Sequence, residues 1–242
     1  MRRLRSVLFA AWLYIAMSVC GLTFAPFAIF NRGAVRLAIK YWAQSTLFGL
    51  RWIIGAKLQF EGVENIPDGP LLVAAKHQSM LDTLAPNLVL SDAAIVFKEE
   101  LKKEPVFGWY LMRAKMIPIA RDEGAQALKA MLRDAKSVVA EGRQILIFPE
   151  GTRKNIGDPP DYKSGIAALY GSLKLPCVPV ALDTGLIWPA KGLGFRPGLA
   201  TIRFLPPIPP GLSRAEFMTR LEHDIETETA ALIARDQEKL VT

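Results

Sequence analysis

The chain has 242 residues, long enough for one α/β domain with a substantial core plus an appendage, and its composition excludes disordered, collagen-like and disulfide-rich classes. Its two cysteines, Cys20 and Cys177, lie too far apart for a disulfide framework or a metal spacing, which gives weak support to a reducing compartment. The net charge of +7 is unevenly placed: residues 1–60 hold Arg2, Arg3, Arg5, Arg32, Arg36, Lys40, Arg51 and Lys57 and no acidic residue, whereas the remainder is close to neutral. A nucleic-acid-binding domain carries such charge on a polar fold, but here it frames apolar runs, which favours an anionic membrane surface over nucleic acid.

Residues Val7–Phe30 contain no charge. As a helix they would extend roughly 36 Å at about 1.5 Å per residue, enough to cross a bilayer, with Pro26 placed to kink or end it. A secretory signal is the alternative reading, although no A-x-A site closes the run. The next segment, Ala34–Ile54, interleaves Trp42, Leu47, Phe48, Trp52 and Ile53 with Arg36, Lys40 and Arg51. That pattern predicts an amphipathic helix with snorkelling cations, either at a membrane interface or docked on the protein core. Basic residues flank the first run on both sides, so two helices in or dipping into one leaflet suit the charge better than a single crossing. Residues 1–56 are therefore expected to be a membrane-associating helical segment.

Residues 57–242 change character. Short apolar runs bounded by turn residues predict strands at Leu58–Phe60, Leu71–Ala75, Ala94–Phe97, Met116–Ala120, Gln144–Phe148, Val178–Leu182 and Thr201–Leu205. Helical spacing appears at Asp122–Glu141, with Asp122 as N-cap, at Gly165–Leu173 and over Ser213–Glu238. The alternation predicts an α/β fold: a mixed, largely parallel sheet with helices on both faces, preceded by the helical segment.

Three clusters could carry chemistry. His77 follows the apolar run Leu71–Ala75, and Asp82 comes five positions later in KHQSMLD. If the residues between them turn into a helix, Asp82 can hold one ring nitrogen and leave the other to accept a proton from a hydroxyl. On its own that spacing arises often by chance. The second cluster, FPEGTR (148–153), follows the run Gln144–Phe148. Gly151 would permit close backbone approach and Arg153 offers a planar fork for phosphate, although a plain Pro-Gly turn with a surface arginine has the same sequence. The third is KEELKKEPVFGW (98–109) followed by IARD (119–122), in which Lys98 also ends a strand. The other histidine, His223, lies among acidic residues on the last helix and reads as solvated.

In this order, HQSMLD (77–82), KEELKKEPVFGW with IARD, FPEGTR (148–153) and VPVAL (178–182) resemble the four-block signature of the PlsC-type glycerolipid acyltransferases, over roughly residues 57–205. The look is nearest to bacterial enzymes acting on 1-acyl-glycerol-3-phosphate. The resemblance implies transfer of an acyl chain from acyl-CoA or acyl carrier protein to a lysophospholipid acceptor, at the cytoplasmic face of the bacterial inner membrane. It makes His77 the base and Asp82 its partner. It assigns Arg153 and Lys98 to the acceptor's phosphate, and Glu150, Gly151 and Thr152 to the acceptor pocket. It implies neither metal nor cofactor. A thioester is already activated, so no Ser or Cys nucleophile is required. Other readings remain open: another lysolipid acceptor such as lyso-ornithine lipid, a membrane-bound hydrolase using His77 on water, or a non-catalytic module. The segment NIGDPPDY (155–162) maps to no role.

Overall fold

The structure, a computed structural model, describes residues 2–120 and 124–241. Two long helices come first, α1 (Arg2–Ala28) and α2 (Arg32–Gly49), followed by a π-helical turn over Leu50–Ile54. The remainder alternates as β1 (Ala56–Glu61), β2 (Leu72–Ala75), α3 (Leu81–Leu84), β3 (Ala93–Lys98), α4 (Phe107–Arg113), β4 (Ile117–Ile119), α5 (Gly124–Ala140), β5 (Gln144–Ile147), α6 (Gly165–Leu173), β6 (Cys177–Leu182), β7 (Gly198–Phe204) and α7 (Arg214–Val241). The expected N-cap Asp122 lies outside the described residues.

The seven strands form one sheet in the order β1-β7-β6-β2-β5-β3-β4. β6, β2, β5, β3 and β4 are mutually parallel, while β7 is antiparallel to β6 and parallel to β1. β2, β5 and β6 are buried along their whole length, as strands covered on both faces must be, and apart from Gln144 at the start of β5 their sequences read accordingly as apolar runs. Alternate residues serve opposite faces. Val73, Ala75, Leu146 and Val180 pack with Phe9 and Leu13 of α1 and Trp42 of α2. Leu72, Ala74, Ile145 and Ile147 pack with Met131 of α5, Ile166 of α6 and Phe217, Leu221 and Ile225 of α7. The mixed, mostly parallel sheet with two helical layers is the architecture that the alternating pattern implies.

Several boundaries differ from the sequence reading. The second helix was expected to run to Ile54, but the α-helix ends at Gly49 and the wider turn is stopped by Gly55, whose φ of +85° only glycine adopts readily. Pro26 ends nothing: it falls in the last turn of α1, which continues to Ala28. α7 starts at Arg214 behind a reciprocal cap, in which Ser213 Oγ accepts from the Glu216 amide (3.3 Å) and Glu216 Oε2 from the Ser213 amide (2.9 Å).

α1 and α2 form an antiparallel hairpin held by indole hydrogen bonds, Trp12 Nε1 to Ser45 O (2.8 Å) and Trp42 Nε1 to Leu13 O (3.3 Å). Arg113 of α4 donates to Ala28 O, placing a cation at the carbonyl end of α1. Phe9 lies edge-on to Trp188 and Phe195 beyond β6. The opposite side of the hairpin is apolar and exposed, with Leu8, Ile15, Val19 and Leu22 on α1 and Leu37, Tyr41 and Phe48 on α2.

A carboxylate pair joins the sheet to α7. Asp183, just beyond β6, is fully buried; its Oδ1 accepts the Thr201 amide, and Asp236 of α7 faces it. Burial, with the like charge of Asp236, pushes the Asp183 pKa up to about 7. A carboxyl whose folded pKa is raised contributes stability that is complete below about pH 4 and lost as pH rises through 7. Asp183→Asn, which keeps a donor toward Asp236 at every pH, is expected to flatten the fall in Tm between pH 5 and 8. Thermal unfolding of both proteins across that range measures it.

Candidate active site

Because β2, β5, β3 and β6 are parallel, their carboxyl ends meet at one edge, where α/β sheets hold their ligands. His77, FPEGTR and Lys98 all leave the sheet there, as does Thr184 two residues after β6.

The loop from His77 to Asp82 is built around a buried carboxylate. Asp82 has no solvent exposure, and five groups meet its two oxygens. Oδ2 accepts the amides of Gln78 (2.6 Å) and Ser79 (2.7 Å) and lies 3.2 Å from His77 Nδ1. Oδ1 accepts the hydroxyls of Ser79 (2.9 Å) and Thr184. The loop is thus a tight turn whose amides converge on the first turn of α3, the condition under which Asp82 reaches one ring nitrogen. A carboxylate only accepts, so this contact suits the tautomer with its proton on Nδ1, which leaves Nε2 as the acceptor. The ring stacks on Phe148 with centroids 4.1 Å apart.

The second loop is a β-turn in which Pro149 occupies the position that favours proline and the Gly151 amide donates to Phe148 O (2.9 Å). Gly151 has φ +68°, so it continues a turn that a side chain would strain. The turn directs Glu150 inward: it is 1% exposed, and its Oε2 accepts the His77 amide (3.1 Å). The His77 carbonyl in turn accepts the Lys154 amide (2.8 Å), so both backbone groups of His77 are tied to this loop. Thr152 and Arg153 point outward and are exposed, and the Arg153 guanidinium has no hydrogen-bonding or ionic partner among the described residues. Lys98 is also exposed, 3.2 Å from Glu100, and it shares the sheet edge without contacting His77. His223 is exposed on α7.

The sequence reading passed over Lys76. Its ammonium is buried between Glu150 Oε1 (2.8 Å) and Glu226 Oε1 (2.7 Å) of α7, and the Tyr162 hydroxyl also donates to Glu226 (2.9 Å). Burial pushes the Glu150 pKa above the ordinary carboxylate range, with Lys76 pulling the other way. Thr184, Gln78 and Ser79 were missed as well. Gln78 Oε1 accepts the Gly185 amide (3.0 Å) and so ties the loop after β2 to the turn after β6. The segment 155–162, without a role in the sequence, supplies Tyr162 to this network.

Comparison with known proteins bears on the whole arrangement. A family model described as Acyltransferase matches residues 57–183, the span that holds His77, Asp82, Lys98 and Glu150–Arg153. A 1-acyl-sn-glycerol-3-phosphate acyltransferase of Pseudomonas aeruginosa is 34% identical over 198 residues, covering 81% of this chain and 77% of its own. The chain belongs to the Acyltransferase family. A protein of the same name from Cocos nucifera is 30% identical over 173 residues, covering 68% of this chain and 56% of its own. The crystal structure of a 1-acyl-sn-glycerophosphate acyltransferase from Thermotoga maritima superposes with a TM-score of 0.80 at 24% identity over 97% of this chain and 98% of its own, and shares the fold.

In this acyltransferase, Thr184 is the distant support of the Asp82 carboxylate. Thr184→Val keeps the shape and removes the donor, which is expected to lower stability by about 1.5–3 kcal/mol, the worth of a hydrogen bond to a charged group. Denaturant unfolding measures the loss. The transfer rate should fall severalfold with the acceptor KM unchanged.

Proposed function

We propose that the protein moves an acyl chain from an acyl thioester, on coenzyme A or acyl carrier protein, to the free hydroxyl of 1-acyl-glycerol-3-phosphate, giving phosphatidic acid. The observation that carries this reading is the His77–Asp82 pair at the sheet edge, with Nδ1 held by a buried carboxylate and Nε2 left for a substrate proton. In the reaction, Nε2 takes the hydroxyl proton as the oxygen attacks the thioester carbonyl. The tetrahedral intermediate collapses with cleavage of the C–S bond, and the imidazolium returns the proton to the departing sulfur. Asp82 stabilises the imidazolium through Nδ1–H and keeps the ring from turning. Arg153, exposed and unpaired among the described residues, supplies the fork for the acceptor's phosphate, and Lys98 adds a second cation at the same edge. Gly151 and Thr152 belong to the same turn as Arg153, and Glu150 lies buried beneath it. The relatives' names support the acceptor assigned here.

Replacing His77 or Asp82 by Ala is expected to lower kcat at least about a hundredfold, in line with general-base contributions of about 10²–10⁴. Arg153→Lys keeps the charge and loses the fork, so KM for lysophosphatidate should rise while KM for the thioester stays within twofold. A panel of lysolipids with the purified enzyme supplies the measurement. Near-normal turnover by His77→Ala removes the mechanism, and an Arg153→Lys defect equal for both substrates removes the phosphate contact.

The helical hairpin fits an enzyme whose acceptor and product lie in a bilayer. Its exposed apolar side and the basic residues of the first sixty positions suit the anionic cytoplasmic leaflet of a bacterial inner membrane, with both helices lying in the interface. Ile15→Asp combined with Leu22→Asp is therefore expected to release the protein from phosphatidylglycerol vesicles in flotation assays, while its Tm holds because both side chains face outward. Undiminished flotation would move the membrane contact elsewhere.

A further inference from the structure

We infer that Lys76 is a positioning residue for the reaction, and that through it Glu226 of α7 holds the His77 loop in register with the FPEGTR turn. The inference rests on the reading of His77 as the base. It starts from a buried cation that the chemistry described above does not use. An ammonium shielded from water to this degree is tolerated only when anions and hydrogen bonds replace its hydration. Lys76 meets that requirement with Glu150 at 2.8 Å and Glu226 at 2.7 Å. Lys76 is covalently next to His77, and the second oxygen of Glu150 binds the His77 amide at 3.1 Å. The peptide that leads into the base is therefore held by one ion cluster through both the Lys76 side chain and the His77 amide.

The cluster joins three separate pieces of chain. Lys76 leaves β2, Glu150 belongs to the turn after β5, and Glu226 lies in the middle of α7, 150 residues from Lys76 in sequence. Tyr162 closes the arrangement by donating to the same Glu226 oxygen at 2.9 Å, and burial, with the same carboxylate beside it, pushes the phenol pKa up. Glu226 thus accepts two donors, one from each of the loops that border His77. Without Glu226, Lys76 would have one anion in place of two, and Tyr162 would lose its acceptor. Both loops would then be free to shift relative to the imidazole. A displacement of well under 1 Å at Nε2 is enough to slow a proton transfer that depends on geometry. The effect should fall on turnover, because Lys76 and Glu150 are buried and none of these groups bonds to Arg153.

Lys76→Met would strand the Glu150 carboxylate in the interior, so the partly exposed Glu226 gives the test that is independent of folding. Glu226→Ala in the full-length enzyme is expected to lower kcat about tenfold, with KM for lysophosphatidate and for the thioester within twofold of wild type. Glu226→Gln, whose amide oxygen accepts from both Lys76 and Tyr162, should recover kcat to within about threefold of wild type. Melting curves recorded on the same samples confirm that the folded fraction is equal. Wild-type turnover in Glu226→Ala overturns the inference, as does a loss matched by equal rises in both KM values or left unrelieved by Gln. His77→Ala is the reference. If it retains transfer, the base assignment itself has failed. If it is inactive while Glu226→Ala turns over at the wild-type rate, the clamp alone has failed.

Discussion

Taking a carboxylate out of water carries a penalty of several kcal/mol unless donors replace its hydration, and the sheet edge that carries the candidate site is organised around meeting that demand at Asp82. Two backbone amides, two hydroxyls and the imidazole of His77 surround its oxygens. The amides are available because the chain between His77 and α3 folds back on itself, so the charge and the turn define one another. The ring is then confined between Asp82 on one nitrogen and Phe148 on its face. Two side chains thereby set the orientation of His77. Parallel β2, β5 and β6 make this possible by delivering three chain exits side by side.

What could be read in the sequence was local. The H-x4-D spacing closes within one turn, and F-P-E-G contains its own β-turn instructions in Pro149 and Gly151, so both loops have the geometry that their residues suggest. The strands β2, β5 and β6 were visible as apolar runs because burial on both faces removes polar residues from them. Elements too short to show a period were hidden. α4 has only seven residues, directly after a charged stretch, and the π turn at Leu50–Ile54 continues the amphipathic pattern of α2. Lys98 illustrates a different limit: it stands at the expected edge, yet its nearest partner is Glu100, two residues away.

The contacts that stabilise the site from outside were not legible, for reasons of distance along the chain. Thr184 reaches Asp82 from 102 residues away, and Glu226 reaches Lys76 from 150. No pattern in a single sequence pairs such positions, because each pairing is created by sheet order. Lys76 had the further disadvantage of its type. Lysine is rarely buried, so one at a strand end reads as a surface residue until its two carboxylates are in view. The same logic applies to Asp183, whose elevated pKa depends on a helix that begins thirty residues later.

Length and apolarity alone cannot separate a helix that crosses a bilayer from one that is docked, since α1 is apolar on both sides for two different reasons. One side supplies Phe9, Leu13 and Ala16 to the core above the sheet, and the other exposes Leu8, Ile15, Val19 and Leu22. A crossing would pull the first side out of the cluster that contains Val73, Val180 and Trp188, uncovering the face of the sheet. The hairpin instead moves with the domain, and its far end is informative. α2 and the π turn lead into the start of β1, and because β1 runs opposite to β2, that start lies on the edge where His77 emerges. It is three strands away in the sheet, roughly 14 Å at about 4.8 Å per strand. Exposed Trp52, with Arg51 set over its ring at 5.7 Å, sits at this corner. An indole and a guanidinium are the pair suited to the boundary between lipid and water. In the proposed membrane seating, this pair would set the sheet edge that carries His77 level with the lipid headgroups.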